Sequence, residues 1–110
     1  YWIHCQESND DIADVVKIDV EGYEYRVIQG GINFFKEKRP LMFLEVHPHL
    51  LNMYNNTILN VYDIVTKEAK YNFFNNKMEL IRSKDEYIKL FSNKKEVRLI
   101  CSPQERGEEI

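Results

Sequence analysis

Residues Val15 to Gly31, VVKIDVEGYEYRVIQGG, hold a strand, a turn and a helix in that order. Val15, Val16, Ile18 and Val20 form a β-branched run, which favours a strand. Lys17 and Asp19 interrupt it, and Glu21 and Glu24 follow on either side of Gly22. Acids at the C-terminal end of such a strand do not suit a buried sheet interior. They suit the mouth of a parallel sheet, where open α/β folds place their ligands. Tyr23, Val27 and Ile28 then recur at helical spacing, and Gly30-Gly31 supplies a helix stop. A further turn over Ile32 to Phe35 runs into the charged Lys36 to Arg39, and Pro40 breaks it.

Working outward, Leu41 to Val46 (LMFLEV) reads as a second strand, apolar on both faces until Glu45. That pattern suits a central parallel strand. His47-Pro48-His49 ends it. The spacing predicts a helix over Thr57 to Lys67, capped by Asn56 or Thr57, with Ile58, Val61, Tyr62 and Val65 inward. Tyr71 to Phe74 and Met78 to Ile81 flank Asn75-Asn76-Lys77 as a hairpin. Asp85 to Phe91 reads as a short helix and Val97 to Cys101 as a last strand. Residues 1–14 read as a loop or linker, with a turn over Ser8 to Asp11. Residues 15–102 form the body, and residues 103–110 read as a frayed tail.

The order predicts an α/β chain whose first two strands are parallel and joined by a right-handed crossover. Antiparallel pairing is added at its end and helices lie on the faces. This is part of a mixed sheet rather than a closed domain, so an unpaired edge offers a route to self-association. One domain is the most that 110 residues allow. Apolar residues make up 44% of the chain and aromatics 13%, which argues against disorder. The net charge of -3 gives no basic field for nucleic acid. No apolar run approaches the ~20 residues of a membrane span. The chain opens on Tyr1 with no signal-type apolar segment, as a piece of something longer would. Cys5 and Cys101 lie far apart with no metal-binding spacing, which suits a reducing, cytoplasmic setting.

Strand side chains alternate with a period of two. Lys17, Asp19 and Glu21 therefore share a face, as do Glu45 and His47 at the end of the second strand. Neighbouring strands lie about 4.8 Å apart, so the two sets converge on one rim. Crowded carboxylates have raised pKa values and favour a charged imidazole, both useful for proton transfer. Asp19 and Glu45 interrupt apolar runs and carry the chemical reading most directly. Glu24 suits a helix first turn, where an acid complements the dipole. Asp19, Glu21 and Glu45 are also oxygen donors of the kind that hold Mg²⁺ in phosphoryl-transfer enzymes. No Gly-x-Gly-x-x-Gly occurs in the chain.

Val16-Lys-Ile-Asp-Val-Glu-Gly-Tyr-Glu24, then Val27-Ile28-x-Gly30-Gly31, then Arg39-Pro-Leu-x-x-x-Glu45-Val-His47-Pro48, resembles the FkbM family of S-adenosylmethionine-dependent methyltransferases. The resemblance implies a Rossmann-like (class I methyltransferase) sheet of seven strands with the last antiparallel. The first strand read here would be the fourth of that domain and the second the fifth. The activity implied is O-methylation of a hydroxyl on a small molecule, sugar or glycan. Asp19 would face the methyl donor, Asp19 or His47 would be the catalytic base, and Glu21 and Glu45 would bind the acceptor. The family's glycine-rich cofactor loop and its ribose-binding acid would both lie upstream. The implied reading is thus the C-terminal half of a methyltransferase, inactive by itself. A metal-dependent phosphoryl-transfer enzyme and an inactive half-domain used for interaction are the alternatives.

Overall fold

A computed structural model of the chain describes the backbone of residues 2–6 and all of residues 15–108. Five strands form one mixed sheet: β1 (Trp2–Gln6), β2 (Val15–Asp19), β3 (Leu41–Val46), β4 (Tyr71–Phe74) and β5 (Val97–Pro103). Their spatial order is β1-β2-β3-β5-β4. β2 and β3 are parallel, with Val15 beside Leu41 and Ile18 beside Leu44. β5 lies between β3 and β4 and runs antiparallel to both. The chain is therefore an α/β unit with parallel strands followed by an antiparallel C-terminal strand.

Between the strands lie α1 (Glu24–Gly30), α2 (Ile32–Lys38), α3 (Pro48–Met53), α4 (Ile58–Asp63) and α5 (Lys84–Leu90). The start of α4 is fixed by a capping box: the Thr57 hydroxyl accepts from the Asn60 backbone N–H, and the Asn60 side chain accepts from the Thr57 N–H. Its last turns widen into a π segment over Ile64–Glu68, closed by Ala69 N–H donating to the Ile64 carbonyl.

One face of the sheet carries the core. Val16, Ile18, Met42, Leu44, Val46, Leu99 and Cys101 alternate along β2, β3 and β5 and are all buried. Ile28, Phe35, Leu51, Val61 and Tyr87, from the five helices in turn, pack onto that same cluster. The opposite positions, Lys17, Phe43 and Arg98, are exposed, and Ile100 is half-buried. Among the described residues the helices therefore pack on one face, not on both as the sequence reading has it, and on the other side only the β4–β5 end, with Phe74 and Ser102, is buried.

Three other expectations are corrected. Trp2–Gln6 is a strand paired antiparallel with β2, not part of a loop, and it occupies the edge of β2 that the sequence reading leaves open. The turn read over Ser8 to Asp11 lies outside the described residues. The second hairpin arm, Met78 to Ile81, is reduced to a single bridge between Phe74 and Leu80, and β4 pairs instead with β5. The region read as a frayed tail begins with the last strand residue, Pro103, and a 3-10 turn follows over Gln104–Arg106. That turn is held down by Gln104 Nε2, which donates to the carbonyls of Thr66 and Tyr71.

Candidate active site

β2 and β3 are parallel, so their carboxyl ends open on the same side of the sheet. Continuing their register by one step sets Asp19 beside Glu45. β5 is antiparallel to β3, with Val46 beside Val97, so its beginning reaches the same mouth. Glu96, the residue before β5, therefore arrives there as well.

The turn after β2 is tight. Glu21 and Gly22 both have positive φ, 47° and 100°. A Cβ on Gly22 would lie 2.5 Å from the Leu50 carbonyl oxygen, so α3 presses directly against this turn. α3 itself begins with Pro48 at its first position, where a missing N–H costs nothing. A residue before proline is held extended, and His47 has φ -114° and ψ 96°. Pro48 thereby starts α3 and fixes the backbone that carries the imidazole.

Asp19, Glu45 and His47 each offer one donor atom within 4.8 Å of the others, and all three are half-buried. His47 Nε2 is 3.1 Å from Glu96 Oε2 and 3.4 Å from Glu45 Oε1. Arg98 Nε stands 3.8 Å from Glu45 Oε2. Two carboxylates and an imidazole at this spacing can bind and orient hydroxyl groups, relay a proton, or accept a divalent cation. A hydrogen bond with Glu96, with burial behind it, raises the Glu45 carboxyl above its ordinary value. The same bond holds Glu96 below it.

Behind the rim lies Glu24, the first residue of α1, fully buried. Its Oε1 accepts from the His47 backbone N–H at 3.3 Å and lies 3.6 Å from His47 Nδ1. Burial pushes its carboxyl pKa up.

Of the four residues picked from the sequence, the structure brings together Asp19, Glu45 and His47. Glu21 is exposed, sits in the positive-φ turn beyond the end of β2, and is not among the converging donors. Strand alternation fails there because the strand has already ended. Glu24 and Glu96 are the groups that sequence reasoning missed. Glu96 follows Lys94-Lys95 and looks like part of a solvated charge run. Its only signal is its place just before an antiparallel strand that returns to the mouth.

On the uncovered face of the sheet a cleft of about 290 Å³ begins at Glu45 and Arg98 and runs along Lys17, Phe43 and Ile100. No helix among the described residues is long and apolar enough to cross a membrane. No curated protein and no solved structure matches the chain significantly. The methyltransferase FkbM domain matches residues 3–73, a span that holds β2, β3, all of β1 but Trp2, and three of the rim groups. The match covers well over half of the 110 residues, and the chain belongs to the FkbM methyltransferase family.

Proposed function

We propose that this chain is the C-terminal part of an S-adenosylmethionine-dependent O-methyltransferase domain acting on a hydroxyl-bearing acceptor, of the sugar or glycan class. The observation that carries the reading is the convergence of Asp19, Glu45 and His47 at the carboxyl ends of two adjacent parallel strands. The order β2-β3-β5-β4, with β5 antiparallel between its neighbours, supports a Rossmann-like sheet, while the antiparallel β1 on the outer edge of β2 stands outside that pattern. The buried, unpaired Cys101 is in keeping with a reducing, cytoplasmic setting.

The acidic rim fits a positively charged sulfonium by simple charge complementarity, with Asp19 on that side. S-adenosylmethionine supplies an activated methyl group when bound. What remains for the chain is to position one hydroxyl oxygen and remove its proton. His47 Nε2 points at the rim and is the candidate base, with Asp19 as the other. Glu45, its carboxyl pKa raised by the bond to Glu96, would bind the acceptor's hydroxyls. Glu21, exposed at the lip, would meet the outer part of the acceptor.

The test is transfer of labelled methyl from S-adenosylmethionine to a panel of sugars and glycosides, using protein that carries the whole domain. Asp19→Asn and His47→Ala should each lower turnover by about 10²-fold or more, the usual worth of a proton-transfer group. Undiminished turnover in both removes them from the chemistry. The phosphoryl-transfer alternative is disfavoured by the family and by the position of Glu21 outside the donor set. Under that alternative no labelled methyl would be transferred, and a phosphoryl transfer would be found that chelating divalent cations abolishes.

A further inference from the structure

Beside the rim lies a second cleft, of about 270 Å³, between the turn after β4 and the segment that joins α5 to β5. Leu90 and Val97 give it an apolar floor, and Asn76, Lys94, Glu96 and Arg98 stand around it. Asn76 and Arg98 also line the cleft on the uncovered face, so the two adjoin there. Arg98 lies beside Glu45 in the β3–β5 register, and β4 is one strand further out. Two strand spacings, about 10 Å, therefore separate Glu45 from the turn that carries Asn76. Three groups in this cleft hold unused donors. Arg98 Nε is 3.8 Å from Glu45 Oε2, too long for a hydrogen bond, so the guanidinium fork makes none among the described residues. Lys94 has no ion pair there either, although its backbone N–H is fixed at 3.2 Å on the Phe91 carbonyl. The Asn76 amide is likewise unbonded, because its neighbour Asn75 holds the turn: Asn75 Oδ1 accepts from the Lys77 and Glu79 N–H groups at 2.9 and 3.0 Å. The acid in the cleft, Glu96, turns away, with Oε2 3.1 Å from His47 Nε2 and a bond to Glu45. In a chain of net charge -3, the cleft thus presents two cations and an amide with no anion of its own to answer them.

We propose that the acceptor is an acidic sugar, and that Arg98, Lys94 and Asn76 hold its anionic group, a carboxylate or a phosphate, while the hydroxyl to be methylated lies at the rim. A guanidinium fork meets either group with two parallel bonds, and an ammonium and an amide N–H add donors around it. The cleft has room for one sugar-sized unit over its apolar floor. Charge then sorts the two substrates: the acidic rim draws the sulfonium, and the cationic cleft draws the acceptor. A neutral acceptor would leave both cations unanswered, so the arrangement selects as well as binds. The transfer of methyl to that acceptor rests on the function proposed above. The anion site does not, and it can be read without any activity.

The experiment is titration of the ¹⁵N-labelled 110-residue chain, followed in amide ¹H–¹⁵N spectra, with methyl glucuronide, glucose 1-phosphate and the neutral methyl glucoside. The acidic probes should shift the amides of Asn76, Lys94 and Arg98 saturably. At least one should bind about 10-fold or more tighter than the glucoside, the scale of one charge-assisted hydrogen bond. Tight binding of the glucuronide alone assigns the anion as a carboxylate, and of glucose 1-phosphate alone as a phosphate. Arg98→Gln and Lys94→Gln, both at exposed side chains, should each weaken that binding about 10-fold. Lys36→Gln, an exposed cation on α2, should not. Equal affinity for all three probes, no binding of either acid, or an equal loss in Lys36→Gln overturns the inference. In protein carrying the whole domain, the wild type should methylate the acidic probe in preference to the glucoside, and Lys94→Gln should lower that preference in kcat/KM about 10-fold. Methyl transfer with no such preference overturns the inference and leaves the proposed function standing. Anion binding without any methyl transfer counts against the proposed function and leaves the site standing.

Discussion

At the residue scale, Gly22 and Glu24 show how the turn after β2 serves the mouth and what that costs. Gly22 has φ 100°, a region that L side chains avoid, and any Cβ there would meet the α3 backbone at 2.5 Å. Neither problem has a cheap relief, because the obstructing atom is a carbonyl and not the end of a flexible side chain. Gly22→Ala should therefore destabilise the fold by about 3 kcal/mol or more, as a substitution combining a forbidden φ with a backbone clash does. Urea denaturation would measure this, and a midpoint unchanged from wild type would refute it. Glu24 makes a different prediction. Folding raises its carboxyl pKa because burial penalises the charged form. Its contribution to stability is therefore most favourable where the carboxyl is protonated in both states. That contribution is lost as pH rises above the ordinary carboxylate range and through the raised value. Glu24→Gln removes the loss. The melting temperature of the variant relative to wild type should rise between pH 4 and pH 7, and thermal melts across that range would show it. The convergence of Asp19, Glu45 and His47 was legible in the sequence because strand alternation and parallel pairing are regular. The burial of Glu24 was not, since an acid in a first helical turn looks the same whether water or a histidine lies beyond it.

At the element scale, the junction between α2 and β3 ties down the end of the chain. Arg39 caps α2 in the left-handed conformation, with φ 52°. Its guanidinium donates to the carbonyls of Ala69 and Lys70 at the end of the π segment. It also meets Glu105 with two parallel bonds, at 2.7 and 2.8 Å, and lies over the Tyr71 ring. A planar fork with this many partners cannot be replaced by an ammonium. Arg39→Lys should cost about 2 kcal/mol, the scale of charged hydrogen bonds to carbonyls left unmade. Glu105→Gln should cost less than about 1 kcal/mol, because the pair stands in solvent. The bond to Arg39 holds the Glu105 carboxyl down to about 2. Its contribution is in force above the unfolded carboxylate range near 4.3 and is lost as pH falls toward about 2. Acid titration of wild type against Glu105→Gln would show the difference closing in that window. The sequence could not reveal this clasp: its ends are 66 residues apart, and GluArgGlyGluGlu near a terminus reads as a solvated tail. β1 is another case: it pairs with the next strand in the chain, Gln6 beside Val15, and was missed although the pairing is local. α3 is different. Pro48 at its first position was a local signal, and it reads as a strand stop only if the apolar Leu50 and Leu51 after it are ignored.

For the whole molecule, the decisive feature is a sheet with helices on one face. A parallel pair such as β2 and β3 ordinarily has both faces covered. Here the second face presents Phe43 at 39% exposure beside half-buried Leu41 and Ile100, ringed by Lys17, Glu45 and Arg98. In a longer methyltransferase domain, the preceding part of the chain would occupy this face. In the 110-residue chain alone, the occupant should be a second copy. The sequence reading placed self-association at an open sheet edge, but β1 now lines the outer edge of β2. The apolar centre of the face is the better candidate, because it offers area where an edge offers only main-chain bonds. The charged ring gives each copy both signs, so Lys17 and Arg98 of one can approach Glu45 of the other. Sedimentation velocity should then show a coefficient that rises with concentration and falls with added salt as the rim charges are screened. Phe43→Glu sets a charge at the centre of the apolar patch, faces its own copy across a twofold axis and adds like-charge repulsion. It should leave the chain monomeric at every concentration without lowering its melting temperature. A wild-type chain that is monomeric throughout, or a Phe43→Glu chain that associates equally well, would remove this face as the contact and return attention to the β4 edge.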